Sequence, residues 1–313
     1  MRTCLPLFAV LLLLVFTGCG IGKGSSSEMS DGSLIVKDFA GRQISFKEPP
    51  AKIVALGSGE ADIVAALGGN LVGRPTTSVQ PVNRAVLEAE QIGNAHEVDL
   101  EKIALLRPDV VLGNYPLNEK DIPVLQGIGV KLLLTGANSI EDIKRQIELI
   151  GQLLRKEEQA QAIIANIVDK IAVYKHIDET NKPRALLVYG APGTFMAALP
   201  NSLSGNILET AGGVNIASDY PRLQSFPQYA QLNAERVVEA DPEIIFFMTH
   251  GNPEEIKNSF IREMETNSAW SSISAVKQQR IEVLPQDLFG TNPGTRVIEA
   301  LELMDRLLKE VPN

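Results

Sequence analysis

The sequence predicts an α/β protein with two similar lobes, each with a mainly parallel sheet flanked by helices, joined by one long interlobe helix. Short apolar segments alternate with helical patterns along most of the chain, as they do in βαβ units. A helix–proline–strand unit occurs twice, and one long amphipathic segment separates its two copies. The length of 313 residues is large for a single core and suits two domains.

The N-terminus is typical of an export signal followed by a tether. Arg2 precedes the apolar stretch Leu5–Phe16, which is too short to span a bilayer as a stable helix. Cys19 follows a small residue, and this segment resembles the lipobox of bacterial lipoproteins. We therefore expect residues 1–18 to be a signal peptide, Cys19 to carry the lipid anchor and residues 19–33 to form a flexible tether. The alternative is a buried apolar segment with an incidental cysteine.

Cysteine and charge content exclude several classes of protein. Cys4 and Cys19 are the only cysteines, and Cys4 is lost with the signal peptide, so no internal disulfide and no thiolate cluster for a metal remains. The chain has 29 Lys and Arg against 38 Asp and Glu, and this acidic balance argues against nucleic acid as a partner. No apolar run of transmembrane length follows the signal, so we expect a tethered protein.

The N-terminal lobe, residues 34–155, is predicted to begin with a hairpin. Leu34–Phe46 has the pattern of two short strands about a turn at Asp38–Gly41. The elements that follow alternate in type, which favours a mainly parallel sheet. The predicted strands are Ile53–Leu56, Val110–Leu112 and Lys131–Leu134. The predicted helices are Glu60–Leu67, Leu100–Leu106 and Ile122–Leu125.

Residues 156–178 are predicted to contain the connecting helix. Ser139 and Asp142 have the spacing of a capping box, and Gly151 is expected to divide the segment that follows them. From Glu157 to Tyr174, apolar residues fall at helical spacing, which predicts a helix about 27 Å long. A helix of that length between two lobes acts as a stiff strut and limits hinge motion.

The C-terminal lobe, residues 179–313, repeats the alternation of the first. The predicted strands are Ala185–Tyr189, Ile244–Met248 and Ile281–Leu284. The predicted helices are Gly205–Ala211, Ala234–Ala240, Glu254–Glu265 and Thr295–Lys309.

One internal repeat supports a duplicated lobe. Asp99–Ile103 followed by Pro108–Val111 matches Asn233–Val237 followed by Pro242–Ile245, at a constant offset of 134 residues (233 − 99). Helix–proline–strand units are common, so coincidence is the alternative. We favour duplication because the spacing holds without a gap.

Histidine is scarce, and two of the three histidines fall one in each of the two similar halves. His96 precedes a predicted helix of the first lobe, and His250 follows a predicted strand of the second, so both are expected in loops at the edges of the sheets. Two imidazoles from facing lobes can bind one metal centre from opposite sides. The alternatives are a surface loop histidine for His96 and a packing residue for His250. His176 lies in a polar linker and is expected at the surface.

The lobes, the connecting helix and the lipobox together resemble the helical-backbone class of substrate-binding proteins for ABC importers. That class serves cobalamin, iron siderophores and haem, and the resemblance covers essentially the whole mature chain. The signature stretches are Pro50–Leu56, Asp99–Glu101, Leu106–Val111, Asn206–Glu209 and Ala211–Gly213. Within the class, the chain is most similar to the haem-receptor lipoproteins of Gram-positive surface haem-uptake systems. The segments that carry this likeness are Leu71–Ser78, Gly190–Thr194 and His250–Lys257.

The resemblance implies that haem is the transported ligand and that both histidines are its axial ligands. In those receptors a histidine of the C-terminal lobe binds the haem iron, and His250 matches it. The ligand from the N-terminal lobe is often a methionine in the segment that matches Gly93–Glu97, and His96 takes that place here. Two imidazoles favour ferric haem more than a methionine–histidine pair does.

Further residues are candidates for the haem periphery. Ser58 and Gly59 open a predicted helix, where backbone N–H groups suit a propionate, although an ordinary N-cap by Ser58 is an equal alternative. Arg74 is a second propionate candidate, and Phe289 is a candidate to cover the porphyrin face, or else a core residue. Weaker candidates for the same roles are Pro75, Phe195, Met196, Met248, Asn292 and Arg296.

The resemblance also implies partners and a location. Glu101 and Glu209 match the two carboxylates with which the class docks on the ABC permease, and Glu235 occupies the place of Glu101 in the internal repeat. An exposed helical glutamate with little energetic role is the alternative for both. We expect a monomer anchored by lipid on the extracytoplasmic face of the cell membrane, and an upstream haem donor protein is a possible second partner.

Three other functions remain open. A siderophore or cobalamin receptor usually needs aromatic or arginine side chains at its site, and this chain has five Tyr and one Trp. A receptor for transition-metal ions usually has three or more protein ligands, so it would need carboxylates beside His96 and His250. A tetrapyrrole chelatase can share two α/β lobes, but the sequence has no phosphate loop, nucleophile elbow or His-Glu-x-x-His motif, so we expect no enzyme activity.

Overall fold

Two β-sheets organise the part of the chain that the computed structural model describes. The described residues are 33–93, 97–176, 182–191, 194–249, 253–266 and 268–312. The predicted signal peptide, Cys19 and nearly all of the tether lie outside them. No described helix is both long and apolar enough to cross a lipid bilayer.

An antiparallel hairpin opens the described chain, as predicted. It pairs β1 (Leu34–Lys37) with β2 (Gln43–Phe46). Asp38 accepts hydrogen bonds from the backbone and guanidinium of Arg42 at its turn, the shortest at 2.6 Å. The same guanidinium donates to the carbonyl of Leu132 at 2.8 Å, which fastens the hairpin to the first sheet.

The first sheet has five strands, all parallel, in the order β5-β4-β3-β6-β7. Its strands are β3 (Ile53–Ala55), β4 (Leu71–Arg74), β5 (Glu90–Gln91), β6 (Val110–Asn114) and β7 (Lys131–Thr135). The chain winds outward from β3 to β5 and then returns to the other side of β3. The direction of winding therefore reverses between β3 and β6, and open α/β sheets bind ligands at the carboxyl ends of strands at such a point.

Three of the five described helices of the first lobe, the second, third and fifth, begin at a polar side-chain cap. These helices are α1 (Ser58–Ala66), α2 (Arg84–Glu88), α3 (Leu100–Leu106), α4 (Ile122–Gly127) and α5 (Ile140–Leu154), with a 3₁₀ turn at Glu119–Asp121. The Asp99 carboxylate accepts from the backbone N–H of Lys102 at 3.0 Å, and the Ser139 hydroxyl accepts from that of Asp142 at 3.0 Å. The cap predicted at Ser139 is confirmed.

The connecting helix α6 spans Glu157–Ala172 and continues as a 3₁₀ turn, Val173–His176. The prediction that Gly151 divides the preceding segment is wrong, because α5 runs through it to Leu154. A Cβ atom at Gly151 would lie 2.5 Å from the Cβ of Ala160, so this glycine permits α5 and α6 to approach closely. Arg155, with φ of 53°, ends α5 in the left-handed conformation.

The second sheet is mixed, in the order β11-β9-β8-β12-β13, with β10 also on β8. Its strands are β8 (Arg184–Ala191), β9 (Thr194–Ala198), β10 (Val214–Asn215), β11 (Tyr229–Gln231), β12 (Ile244–Thr249) and β13 (Ile281–Val283). β10, β12 and β13 run parallel to β8, whereas β9 folds back on β8 as a hairpin and pairs antiparallel with β11. The sequence did not predict that antiparallel edge.

Five helices and several short turns complete the second lobe. The helices are α7 (Leu203–Thr210), α8 (Ala234–Ala240), α9 (Pro253–Thr266), α10 (Ser274–Lys277) and α11 (Val297–Lys309). The turns are the 3₁₀ segments Ser268–Ser272 and Gly294–Arg296 and the π-helical segment Gln286–Gly290. The helices predicted from Gly205, Ala234, Glu254 and Thr295 correspond to α7, α8, α9 and α11.

The internal repeat is a repeat of hydrogen bonds as well as of sequence. Asn233 caps α8 as Asp99 caps α3, and each helix ends in a left-handed residue, Arg107 or Asp241. The backbone N–H of Asp109 then donates to Lys52 at 2.9 Å, and that of Glu243 to Arg184 at 2.8 Å. The carboxylates of Asp109 and Glu243 accept from the backbone N–H groups of the same two partners. The two units thus enter their sheets in the same way.

A shared apolar core joins the two sheets, and each sheet has a separate core on its outer face. The shared core includes Ile53 and Ala55 of β3, Ile143 and Ile147 of α5, Leu187 of β8, and Ala300 and Met304 of α11. The alternate residues Val54 and Leu56 pack in the outer core of the first sheet, and Leu186 and Val188 in that of the second. Both faces of each central strand are buried, as in sheets with helices on both sides.

The contact at Gly151 can be tested by substitution. Gly151→Val is expected to lower the free energy of unfolding by about 1–3 kcal/mol, because the side chain would be forced against Ala160. Gly127→Val is the matched control, since a Cβ atom at Gly127 meets nothing within 4 Å. Urea unfolding curves measure both, and equal effects of the two substitutions would contradict the close packing of α5 on α6.

Candidate functional site

The N-terminus of α1 lies at the carboxyl end of β3, where the winding of the first sheet reverses. Gly57 is the N-cap, with extended backbone at φ −118°, and supplies no side-chain cap. The first helical hydrogen bond runs from the Ala61 N–H to the Gly57 carbonyl at 3.1 Å, so the N–H groups of Ser58, Gly59 and Glu60 precede the first backbone bond of the helix, and that of Glu60 donates to its own carboxylate. This end of α1 therefore favours negative charge.

A carboxyl group of the protein itself lies close to this helix end. Glu60 is 1% exposed, and its Oε2 atom would lie 2.1 Å from a Cβ atom at Gly57. Its Oε1 atom accepts hydrogen bonds from the Thr135 hydroxyl at 2.5 Å and the Gln146 amide at 3.0 Å. Burial raises the pKa of Glu60, and these hydrogen bonds only partly oppose the rise.

The hydrogen bonds around Glu60 continue into the second lobe. The Gln146 side-chain oxygen accepts from the Asn292 amide at 2.8 Å, and the Asn292 oxygen accepts from the Gly294 N–H at 2.9 Å. Asn292 lies directly over Gly59, where a Cβ atom would be 2.1 Å from its amide nitrogen. Gly59 is therefore a position at which the two lobes approach closely.

Asp62, two residues after Glu60 on α1, makes a second connection to the second lobe. Its Oδ2 atom accepts from the Thr295 N–H at 2.8 Å and the Thr295 hydroxyl at 2.6 Å. Gly294 has a φ of +62°, which glycine adopts without strain. A Cβ atom there would lie 2.6 Å from the same Asp62 oxygen, so glycine also permits this close approach. Burial raises the pKa of Asp62 despite the Thr295 hydrogen bonds. We call Glu60, Asp62, Gln146, Asn292 and Thr295 the lobe junction.

Two further hydrogen bonds cross between the lobes. The Ser78 hydroxyl, in the segment after β4, donates to the Gln286 side-chain oxygen at 2.6 Å. The backbone N–H of Ile140, at the start of α5, donates to the Asn206 side chain of α7 at 2.9 Å. The carboxyl edge of the first sheet is thus held against the second lobe.

Both predicted iron ligands, His96 and His250, lie outside the described residues. The chain leading to the first is described: the Thr76 N–H donates to the Gly93 carbonyl at 2.7 Å, which continues the β4–β5 edge. The chain leading to the second is β12, which ends at Thr249, paired with Gly190. Both segments thus leave the described structure at the carboxyl end of a parallel strand. Among the described residues, no group of three or more His, Cys, Asp or Glu is placed to hold a metal ion.

The other predicted site residues differ in their surroundings. Ser58 is half-buried as the first residue of α1, and Phe289 is buried in the shared core. Arg296, a weaker candidate, pairs with Asp287 at 2.8 Å and with Glu299. The predicted docking residues Glu101 and Glu209 are both exposed, on α3 and α7, and so is Glu235 on α8.

Arg74 is the last residue of β4 and is 7% exposed. Its Nη1 atom donates to the Pro75 carbonyl at 3.2 Å. Its Nε atom is buried and has no acceptor among the described residues. Within the described chain, no carboxylate forms an ion pair with this guanidinium, so Arg74 differs from the paired Arg296.

Sequence reasoning named Asn292 as a weaker haem candidate but missed the other residues of the lobe junction, and it did not consider Tyr115. Tyr115 follows β6, the second strand at the winding reversal, and is 39% exposed. The sequence could have indicated Tyr115, because it directly follows an apolar segment that predicts a buried strand. Glu60 and Gln146 gave no comparable signal, since each reads as a polar position on an amphipathic helix.

The fold and the site define a class of transport protein. Residues 53–288 match the family described as periplasmic binding protein, and the chain belongs to this family. It is a substrate-binding protein of an ABC importer, of the class that serves haem, cobalamin and siderophores, and not an enzyme. The resemblance drawn from the sequence is confirmed at this level.

Individual relatives make the comparison more specific. The chain is 26% identical to the high-affinity heme uptake system protein IsdE of Staphylococcus aureus over 243 residues, which cover 77% of this chain and 81% of the relative. An ABC transporter substrate-binding protein from Listeria monocytogenes EGD-e is similar in structure, with a TM-score of 0.72 at 28% identity over 84% of this chain and 100% of that one. IsdE of S. aureus complexed with heme has a TM-score of 0.72 at 24% identity, over 82% and 98%, and has the same fold.

The buried carboxyl of Glu60 predicts a pH dependence of stability. The pKa of Glu60 in the folded protein is raised above the ordinary 4.5. The protonated carboxyl therefore makes its full contribution to the free energy of unfolding below pH 4.5, and that contribution is lost as the pH rises through the folded-state pKa. The Glu60→Gln variant has no ionisable group at this position and does not lose this stability. The difference in free energy of unfolding, variant minus parent, should therefore increase as the pH rises. Urea unfolding between pH 4 and pH 8 measures the difference.

The control for this prediction is Glu88→Gln, which changes an exposed glutamate on α2. Its stability should follow that of the parent at every pH. Parallel profiles for the parent and Glu60→Gln would show that Glu60 titrates normally in the folded protein.

Proposed function

We propose that this protein is a lipid-anchored haem receptor that delivers haem to an ABC permease. The observation that carries the proposal is where the described backbone before each histidine ends. The β4–β5 edge of the first sheet is described to Gly93, three residues before His96, and β12 of the second sheet is described to Thr249, directly before His250. The likeness to a heme uptake protein supports the choice of ligand.

His96 and His250 are the proposed axial ligands of the haem iron. Neutral imidazole nitrogen is a good ligand at both axial positions, and two imidazoles give a six-coordinate low-spin iron. Ligands on opposite faces of a porphyrin have to come from facing walls, and the two lobes provide such walls. Ser58, Gly59, Arg74 and Phe289 remain proposed residues of the haem periphery.

Anchoring and docking complete the proposal. Cys19 is the proposed site of the lipid, which would hold the protein on the extracytoplasmic face of the cell membrane. Glu101 and Glu209 are the proposed contacts with the permease, one on each lobe, and their exposure supports this role. The protein is proposed to act as a monomer that receives haem, directly or from a donor protein.

Haemin titration of the purified full-length chain in detergent tests the ligand and its coordination. The parent protein should give the absorption spectrum of six-coordinate low-spin ferric haem. His96→Ala and His250→Ala should each produce a five-coordinate or high-spin spectrum, or bind haemin at least about tenfold more weakly, because one axial bond is lost.

His176→Ala is the matched control and should leave both the spectrum and the affinity unchanged. If His96→Ala and His250→Ala kept the parent spectrum, the ligand assignment would be wrong. If the parent bound cobalamin or a ferric siderophore and failed to bind haemin, the proposed cargo would be replaced by that ligand within the same class.

A further inference from the structure

The guanidinium of Arg74 is buried and has no counter-charge among the described residues. Arginine stays protonated in proteins, and a buried cation with no carboxylate partner destabilises the folded state. The single hydrogen bond to the Pro75 carbonyl leaves the buried Nε donor unmatched. A buried donor without an acceptor lowers the stability of the folded state, and more so when it is charged. The described chain gives no structural reason to keep an arginine here.

The position of Arg74 relates this charge to the proposed haem site. Its carbonyl accepts from the Ile92 N–H at 3.0 Å, and two residues later Thr76 donates to Gly93. Arg74 therefore lies beside the backbone that leads to His96. Four residues after it, Ser78 bonds to Gln286 of the second lobe, so the segment that follows Arg74 faces that lobe.

We propose that Arg74 binds a carboxylate of the cargo, and that the unloaded protein keeps this destabilising cation for that purpose. The inference rests on the proposed function and makes it more specific: the cargo carries at least one free carboxylate, as haem does in its two propionates. The planar guanidinium donates two parallel hydrogen bonds to a carboxylate, which a lysine cannot do. The charge of the cargo then compensates the charge of the site.

The first test measures the stability of the unloaded full-length protein. Arg74→Met replaces the charge with an apolar chain of similar length, and the variant should be as stable as the parent or more stable in urea unfolding. Arg84→Met is the control, because Arg84 is exposed on α2 and pairs with Glu88 at 2.9 Å. If the Arg74→Met variant is less stable than the parent or fails to fold, Arg74 stabilises the unloaded protein and the proposal is overturned.

The second test measures binding of haemin and of haemin dimethyl ester, in which both propionates are blocked. The parent should bind haemin about tenfold to a hundredfold more tightly than the ester, as expected for one charged hydrogen-bonded pair. The Arg74→Met variant should bind haemin no more tightly than it binds the ester. The Arg84→Met variant should prefer haemin to the ester as strongly as the parent does, and the Arg74→Lys variant should keep only part of this preference.

The outcomes separate this proposal from the proposed function. If the parent binds haemin and its ester equally, or if Arg74→Met keeps the preference, haem remains the cargo and the role of Arg74 is overturned. If the parent binds neither porphyrin, the proposed function is overturned and the role of Arg74 with it.

Discussion

Two carboxyl groups at the contact between the lobes constrain how the lobes are arranged. Glu60 and Asp62 lie two residues apart on α1. Glu60 is buried and Asp62 is partly buried, so each needs hydrogen-bond donors to replace lost contact with water. The donors to Glu60 come from Thr135 and Gln146 of the first lobe, and those to Asp62 come from Thr295 of the second. Separating the lobes would break the hydrogen bonds from Thr295 to Asp62 and from Asn292 to Gln146 and admit water to the junction, so the lobes are held in one register.

The apolar contacts act in the same direction as the lobe junction. α5 and α6 pack closely at Gly151, and α6 reaches α11 of the second lobe, where Lys170 pairs with Glu302 at 3.4 Å. The ion pair is exposed and contributes little, whereas the shared core between α5, α6 and α11 is fully buried. The packing of these helices and the lobe junction therefore both oppose movement of one lobe relative to the other.

Much of the fold was predictable because it follows from local patterns. The hairpin, the parallel strands, the cap at Ser139 and the helix from Glu157 each depend on residues that are close in sequence. The failures depend on distant contacts. Gly151 reads as a helix breaker until Ala160 is seen to pack against it, and the β8–β9 hairpin interrupts a parallel pattern that the preceding lobe keeps.

The site was predictable in part for the same reason. The scarcity of histidine and the internal repeat indicated the strand ends as candidate sites. The hydrogen-bond partners of Glu60 are 75 and 86 residues away in sequence, so no local pattern predicts them. Arg74 was predicted from its type and neighbourhood. Its burial without a carboxylate partner among the described residues became visible only in three dimensions.

The most direct test of the account is a distance measurement between the lobes. Leu105 on α3 and Glu239 on α8 are exposed and occupy equivalent positions in the two repeat units, so each can carry a spin label on an introduced cysteine after Cys4 and Cys19 are replaced by serine. Double electron–electron resonance on the haem-free protein should give one narrow distance distribution, and removal of the lobe junction by Asn292→Ala with Thr295→Val should broaden it. A broad or two-peaked distribution in the protein with the junction intact would contradict the claim that these buried hydrogen bonds hold the lobes in a single arrangement.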